Sequence, residues 1–235
     1  MWLEIIDRYH DSKSFFLVGG EENIIKMTVK KYIPSWWGEG CDELSSTDPI
    51  MKSLINKFND NKLSSIRNPF YSLCKSIVGQ QISVAAASAV WNRLENKYNI
   101  FDGQFFKSSD LNQLKKIGLS ERKASYLINL SEKLKDYNSY DYWNNLNDQE
   151  VYSFLIDIKG IGPWSIKMFM IFCLNRPDIF SADDIGLLKA MGKNYFNNIR
   201  PTKDEAENFS LKWRPWRTAA SWYLWRSIDP EIVLY

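Results

Sequence analysis

The chain has 235 residues, 45% of them hydrophobic, and a net charge of only +2, which fits a globular protein of one domain or two small ones. No stretch approaches the roughly eighteen consecutive apolar residues of a membrane span, and the acidic start "MWLEIIDRYHD" lacks the basic opening of a secretory signal, so an intracellular protein of cytoplasm, nucleoid or nucleus is expected. Cys41, Cys74 and Cys173 show no CxxC spacing and His10 is the single histidine, which argues against zinc, iron–sulfur, disulfide and histidine-based chemistry. Charge is uneven: residues 1–60 carry −3, 61–158 carry +2 and 159–235 carry +3, so a polyanion is expected toward the C-terminal part.

In chain order, residues 12–33 place two β-rich runs around a Gly-Gly-Glu-Glu-Asn turn and predict a hairpin. Residues 34–47, "PSWWGEGCDELSST", are broken by proline and glycine and read as a linker. Asp48-Pro49 supplies an N-cap and first-turn proline for a helix through Phe58. The run "NPFYSLCKSIVGQQISVAAASAVWNRLENKY" alternates at helical spacing on both sides of Gly79-Gln80-Gln81, predicting two helices joined at a polar break. Ser120 caps a helix from Glu121 to about Lys135, and another runs from Asp148 to Ile158. Helices from Pro163 to Leu174 and near 184–192, 203–212 and 215–228 complete the chain.

Between Ile158 and Pro163 the sequence "IKGIGPW" joins two helices through a glycine-rich turn. Glycines permit positive φ and bare backbone, so N–H groups can face outward beside the positive end of the next helix, a surface that suits a phosphate oxygen. The same residues also fit a plain helix stop at Gly160 and restart at Pro163. Downstream, "RPDIFSADDIGLLKA" puts Asp183 and Asp184 at the mouth of an apolar helix, where aspartate commonly caps. "KWRPWRTAASWYLWRS" then combines four tryptophans with three arginines in a segment that can be core, with room for one or two indoles to line a cavity.

Together these motifs resemble the helix-hairpin-helix (HhH-GPD) DNA glycosylases, and more narrowly the alkyl-purine branch, 3-methyladenine DNA glycosylase II (AlkA-type), over roughly residues 48–228. The resemblance implies a mainly α, two-lobed helical fold with a small N-terminal β hairpin or reduced β-sheet segment. Residues 1–47 would form the β-rich segment and linker, and 48–235 the helical glycosylase domain with its hairpin at about 158–163. It implies Asp184 as the required carboxylate, with Asp183 as a cap or support for the loop. Trp164, Met168 and Trp225 match base-pocket positions, and Gly160, Ile161, Gly162, Gln80, Gln81, Ile82 and Ser83 match DNA-contacting ones. In relatives that also cut the strand a lysine occupies the position of Trp164, so a monofunctional enzyme is implied. Met168 replaces a tyrosine of the best-known members. The wedge that fills the gap in the duplex aligns with Gln81, with Ile82 beside it.

The resemblance also implies damaged double-stranded DNA as partner, a monomer, no iron–sulfur cluster and no required cofactor. A sodium or potassium ion held by the carbonyls of Ile156, Ile158 and Ile161 is implied when DNA is bound. Two competing readings are a glycosylase for deaminated or etheno bases and a non-catalytic helix-hairpin-helix DNA-binding module. The Asp184 and Trp164 contexts favour the enzyme.

Overall fold

A computed structural model describes residues 30–100 and 105–228. They divide into two compact units, Ile66–Phe169 and, together, Lys31–Ser65 with Met170 onward. Both are helical. Among the described residues β pairing is reduced to one antiparallel bridge, Tyr32 with Ser65, and the hairpin expected at 12–33 lies almost wholly outside them. No helix among them is long and apolar enough to cross a membrane.

The unit Ile66–Phe169 holds α3 (Pro69–Gly79) and α4 (Val84–Lys97), the two helices expected around the Gly79-Gln80-Gln81 break. Asn68 caps α3 by accepting from the Tyr71 N–H at 3.0 Å. α5 (Leu111–Lys116) leads into α6 (Glu121–Leu134), capped by Ser120 as its sequence predicts, and α6 packs on α3. α7 (Tyr140–Asn145), absent from the sequence reading, is a single short helix fastened by Trp143. That indole is fully buried against Phe154 and Phe169 and donates to the Tyr137 carbonyl at 2.5 Å. α8 (Asp148–Ile156) starts with an Asn147/Glu150 capping box, and α9 (Pro163–Phe172) carries the chain out of this unit between Phe169 and Met170.

The other unit opens with a correction: residues read as a linker form α1 (Trp37–Thr47). Trp37, Cys41 and Leu44 are buried at helical spacing, and the Trp216 ring packs so close to Gly40 that a Cβ there would stand 3.1 Å from it. Tertiary packing thus overrides the glycines that read locally as breakers. α2 (Pro49–Lys57), α10 (Ile185–Tyr195), α11 (Lys203–Ser210) and α12 (Arg217–Arg226) complete the unit, with α12 packed on α1, α2 and α10.

Asp48 does more than cap α2. Its Oδ1 accepts from the N–H groups of Ile50 and Met51 at 2.9 and 3.1 Å. Its Oδ2 accepts from the Tyr195 hydroxyl at 2.9 Å, the Trp213 indole at 3.1 Å and the Lys212 ammonium at 3.0 Å. The residue is only 5% exposed. Burial pushes its carboxyl up, but the donors of Trp213, Lys212, Met51 and Tyr195 outweigh burial and hold it below its ordinary 3.8. A carboxyl depressed in the fold stabilises fully above the unfolded value and loses that contribution as pH falls through the folded one.

Asp48→Ala should therefore lower unfolding free energy at pH 7 by roughly 3 to 5 kcal/mol, the usual cost of breaking a buried charged network. In urea titrations the gap between wild type and variant should narrow as pH drops below 3.8.

Candidate active site

The glycine hairpin belongs to the unit Ile66–Phe169. After α8 the Ile161 N–H turns back onto the Ile158 carbonyl at 3.0 Å, and Gly162 accepts the first bond of α9 from the Ile166 N–H at 3.0 Å. Buried Ile158 and Ile161 anchor the turn, while Ile156 is partly exposed. The two glycines differ in kind. Gly160 sits at φ 91°, and any Cβ there would overlap the Tyr126 ring of α6. Gly162 has no atom within 4 Å of the space a Cβ would occupy, so packing within this chain does not require it. What the bare backbone at 162 offers is access to the first turn of α9, whose N–H groups and dipole favour an anion.

The break between α3 and α4 joins the hairpin through Gln80, whose side-chain amide donates to the Gly160 carbonyl at 2.8 Å. Gln81 is exposed, with left-handed backbone at φ 56°, and the Arg122 guanidinium approaches its side-chain oxygen at 3.5 Å. Ile82 is half-buried against Ala87, and the Ser83 hydroxyl caps α4 by accepting from the Ala86 N–H at 3.3 Å. Lys123 ties the start of α6 to the same place by donating to the Val78 carbonyl at 2.8 Å. On α9, one turn apart, Trp164 is half-buried and Met168 fully buried. The carbonyls of Ile156, Ile158 and Ile161 are neutral hard donors of the sort an alkali ion takes, and an ion there would share the Ile158 oxygen with the turn bond. No group of three or more histidine, cysteine, aspartate or glutamate side chains suited to a metal occurs among the described residues.

The aspartate pair belongs to the other unit. Its two members differ. Asp183 is exposed and ion-paired with Lys203; of the two roles expected for it, cap or support of the loop, the cap belongs to Asp184. Asp184 is the half-buried N-cap of α10, and its Oδ1 accepts from the Leu187 N–H at 2.6 Å and from the Trp225 indole N–H at 3.0 Å. Trp225 is itself buried, its ring 5.8 Å from that of Phe172 at 30°. Gly186 fits beside them: a Cβ there would stand 3.1 Å from Asp184 Oδ1 and 3.8 Å from the indole. Its constraint comes from the Asp184 carboxylate two residues earlier, once the Trp225 indole fixes where that carboxylate points, and a glycine in the first turn of an apolar helix was the available signal.

Helix α12 holds the loop that leads to Asp184 at two points. At the entry, the Arg217 guanidinium grips Asp178 through Nε–Oδ1 at 2.5 Å and Nη2–Oδ2 at 3.1 Å, a bidentate pair. Thr218 adds hydrogen bonds to the Arg176 carbonyl at 2.6 Å and from the Ile179 N–H at 3.0 Å. At the exit stands Trp225. Of the aromatic segment's other tryptophans, Trp213 and Trp222 are core, and half-buried Trp216 stacks on Trp36 at 5.8 Å.

The two hairpin glycines should separate on substitution. Gly160→Ala should lower stability by roughly 1 to 3 kcal/mol, from left-handed backbone strain and the Tyr126 overlap. Gly162→Ala should stay within about 1 kcal/mol of wild type in the same thermal melts.

Residues 74–215 match the family model described as the HhH-GPD superfamily base excision DNA repair protein. The chain is 30% identical over 219 residues to the DNA-3-methyladenine glycosylase of Bacillus subtilis, covering 84% of this chain and 71% of that one. It is 31% identical over 183 residues to DNA-3-methyladenine glycosylase 1 of Schizosaccharomyces pombe, covering 74% of this chain and 78% of that one. Among solved structures, the S. pombe 3-methyladenine DNA glycosylase in complex with abasic DNA superposes with a TM-score of 0.68 at 29% identity, over 80% of this chain and 96% of that one. The DNA-3-methyladenine glycosidase of Bacillus halodurans gives 0.65 at 28% identity, over 84% and 92%. The hairpin, the helix-capping aspartate and these matches together make the chain a member of the HhH-GPD superfamily of base excision DNA repair proteins.

Proposed function

We propose that this protein is a monofunctional DNA glycosylase that removes alkylated purines of the 3-methyladenine type from duplex DNA. It hydrolyses the N-glycosidic bond and leaves an abasic site. The observation that carries the reading is Asp184: a half-buried carboxylate fixed by two N–H donors at a helix mouth, in a chain related over most of its length to named 3-methyladenine glycosylases.

Breaking the bond develops positive charge on the deoxyribose, and a fixed carboxylate stabilises that charge or orients the attacking water. An alkylated purine is already cationic and leaves readily, so no strong general acid is needed. The target base must first leave the stack, at a cost of about a few kcal/mol that is smaller for a weakened pair. Trp164 offers an electron-rich indole to a cationic base, a contact of roughly 0.5 to 2 kcal/mol that favours damaged over normal purines. Its position is the one where strand-cutting relatives keep a lysine, which supports base removal without strand cleavage. Met168, one turn further along the same helix, is the other candidate base-contacting residue of this unit.

The hairpin residues Gly160, Ile161 and Gly162 present backbone to a phosphate, which positions DNA without reading sequence. Gln81, exposed on left-handed backbone, is the wedge, with half-buried Ile82 behind it and Ser83 at the start of α4 facing the same strand. No cofactor takes part in the chemistry. A sodium or potassium ion at the carbonyls of Ile156, Ile158 and Ile161 would help hold the hairpin on bound DNA, and the enzyme acts as an intracellular monomer.

The test uses duplexes carrying a single alkylated purine, hypoxanthine or ethenoadenine, scored separately for free base, abasic sites and strand breaks. Wild type should release the alkylated purine and nick nothing before alkali, and Asp184→Asn should lose excision by at least roughly a hundredfold while still binding DNA. Binding without release from any lesion would overturn the enzymatic reading.

A further inference from the structure

We propose that Trp225 is a positioning residue that orients the Asp184 carboxylate, rather than a wall against which the target base packs; this rests on the role of Asp184 given above. Three observations carry it. The indole N–H of Trp225 is spent on Asp184 Oδ1 at 3.0 Å, the same oxygen that takes the Leu187 N–H at 2.6 Å. The indole is 5% exposed with its ring beside Phe172, so little of it is offered to a ligand. Gly186 keeps the space beside Oδ1 uncrowded where the carboxylate meets the indole, because a Cβ there would stand 3.1 Å from Oδ1.

The chemistry follows from this arrangement. Two N–H donors on one oxygen fix both rotation and tilt of the carboxylate, and they draw charge toward that oxygen. Oδ1 is thereby the anchor of the carboxylate. The helix cap restrains Asp184 along one direction, and the indole adds a second donor from across the fold. Specificity for the base and placement of the carboxylate are then carried by different tryptophans, Trp164 and Trp225.

Trp225→Phe keeps an aromatic ring beside Phe172 and deletes only the donor. In single-turnover excision from the alkylated-purine duplex, its rate should fall roughly tenfold to a hundredfold while lesion-duplex Kd stays within about twofold of wild type. Gly186→Ala, which crowds Oδ1 from the other side, should show the same loss of rate at retained affinity, and it carries the test alone if Trp225→Phe does not fold. A wild-type rate in the folded variant, or a loss explained wholly by weaker binding, overturns the inference in favour of a base-contacting wall. Asp184→Asn run in parallel separates the two levels. If that variant is inert while Trp225→Phe keeps the wild-type rate, only the positioning role falls; if it is active, the catalytic role of Asp184 falls with it.

Discussion

The buried carboxylate of Asp48 collects five donors from three stretches of chain, and the helices that carry the candidate catalytic group are organised around it. Tyr195, which reaches it, is the last residue of α10, while Asp184 caps the first turn of the same helix. Trp213 and Lys212 reach it from the turn just ahead of α12. Helix α10 is thus pinned at both ends by carboxylates, one structural and one proposed to be chemical, and α12 is fixed where it begins. Burial and the adjacent negative charge push the Tyr195 phenol up, so it remains a donor through neutral pH.

What the sequence makes legible is what neighbouring residues encode. Asp48-Pro49, Ser120 and the hairpin glycines announce helix boundaries because their physics is local, and the structure has those helices. Helix α1 was hidden for the opposite reason: Gly38 and Gly40 read as breakers, whereas Gly40 packs against a tryptophan 176 residues away. α7 was hidden because six residues give too little periodicity, and Trp143 holds it through contacts with Phe154 and Phe169.

The candidate site divides in the same way. That an aspartate caps the helix after "FSAD" is readable from a pattern of four or five residues. Which partner the adjacent Asp183 takes is not, since Lys203 lies twenty residues on. The bond from Trp225 to Asp184 spans 41 positions and has no local signature. An aromatic stripe at helical spacing looks alike whether its indoles fill a core or grip a carboxylate, and only the three-dimensional partners of each N–H tell them apart.

The segment from Asp178 to Asp184 is tied at both ends to one helix, with a turn closed by the Asp184 N–H on the Ser181 carbonyl at 3.0 Å between the ties. The ties are Arg217 and Trp225, eight residues apart on α12, or about 12 Å along a helix. The spacing of the two ties along the helix therefore bears on where the far end of the segment, Asp184, comes to rest. The length of this loop is thus matched to a helix more than thirty residues further on.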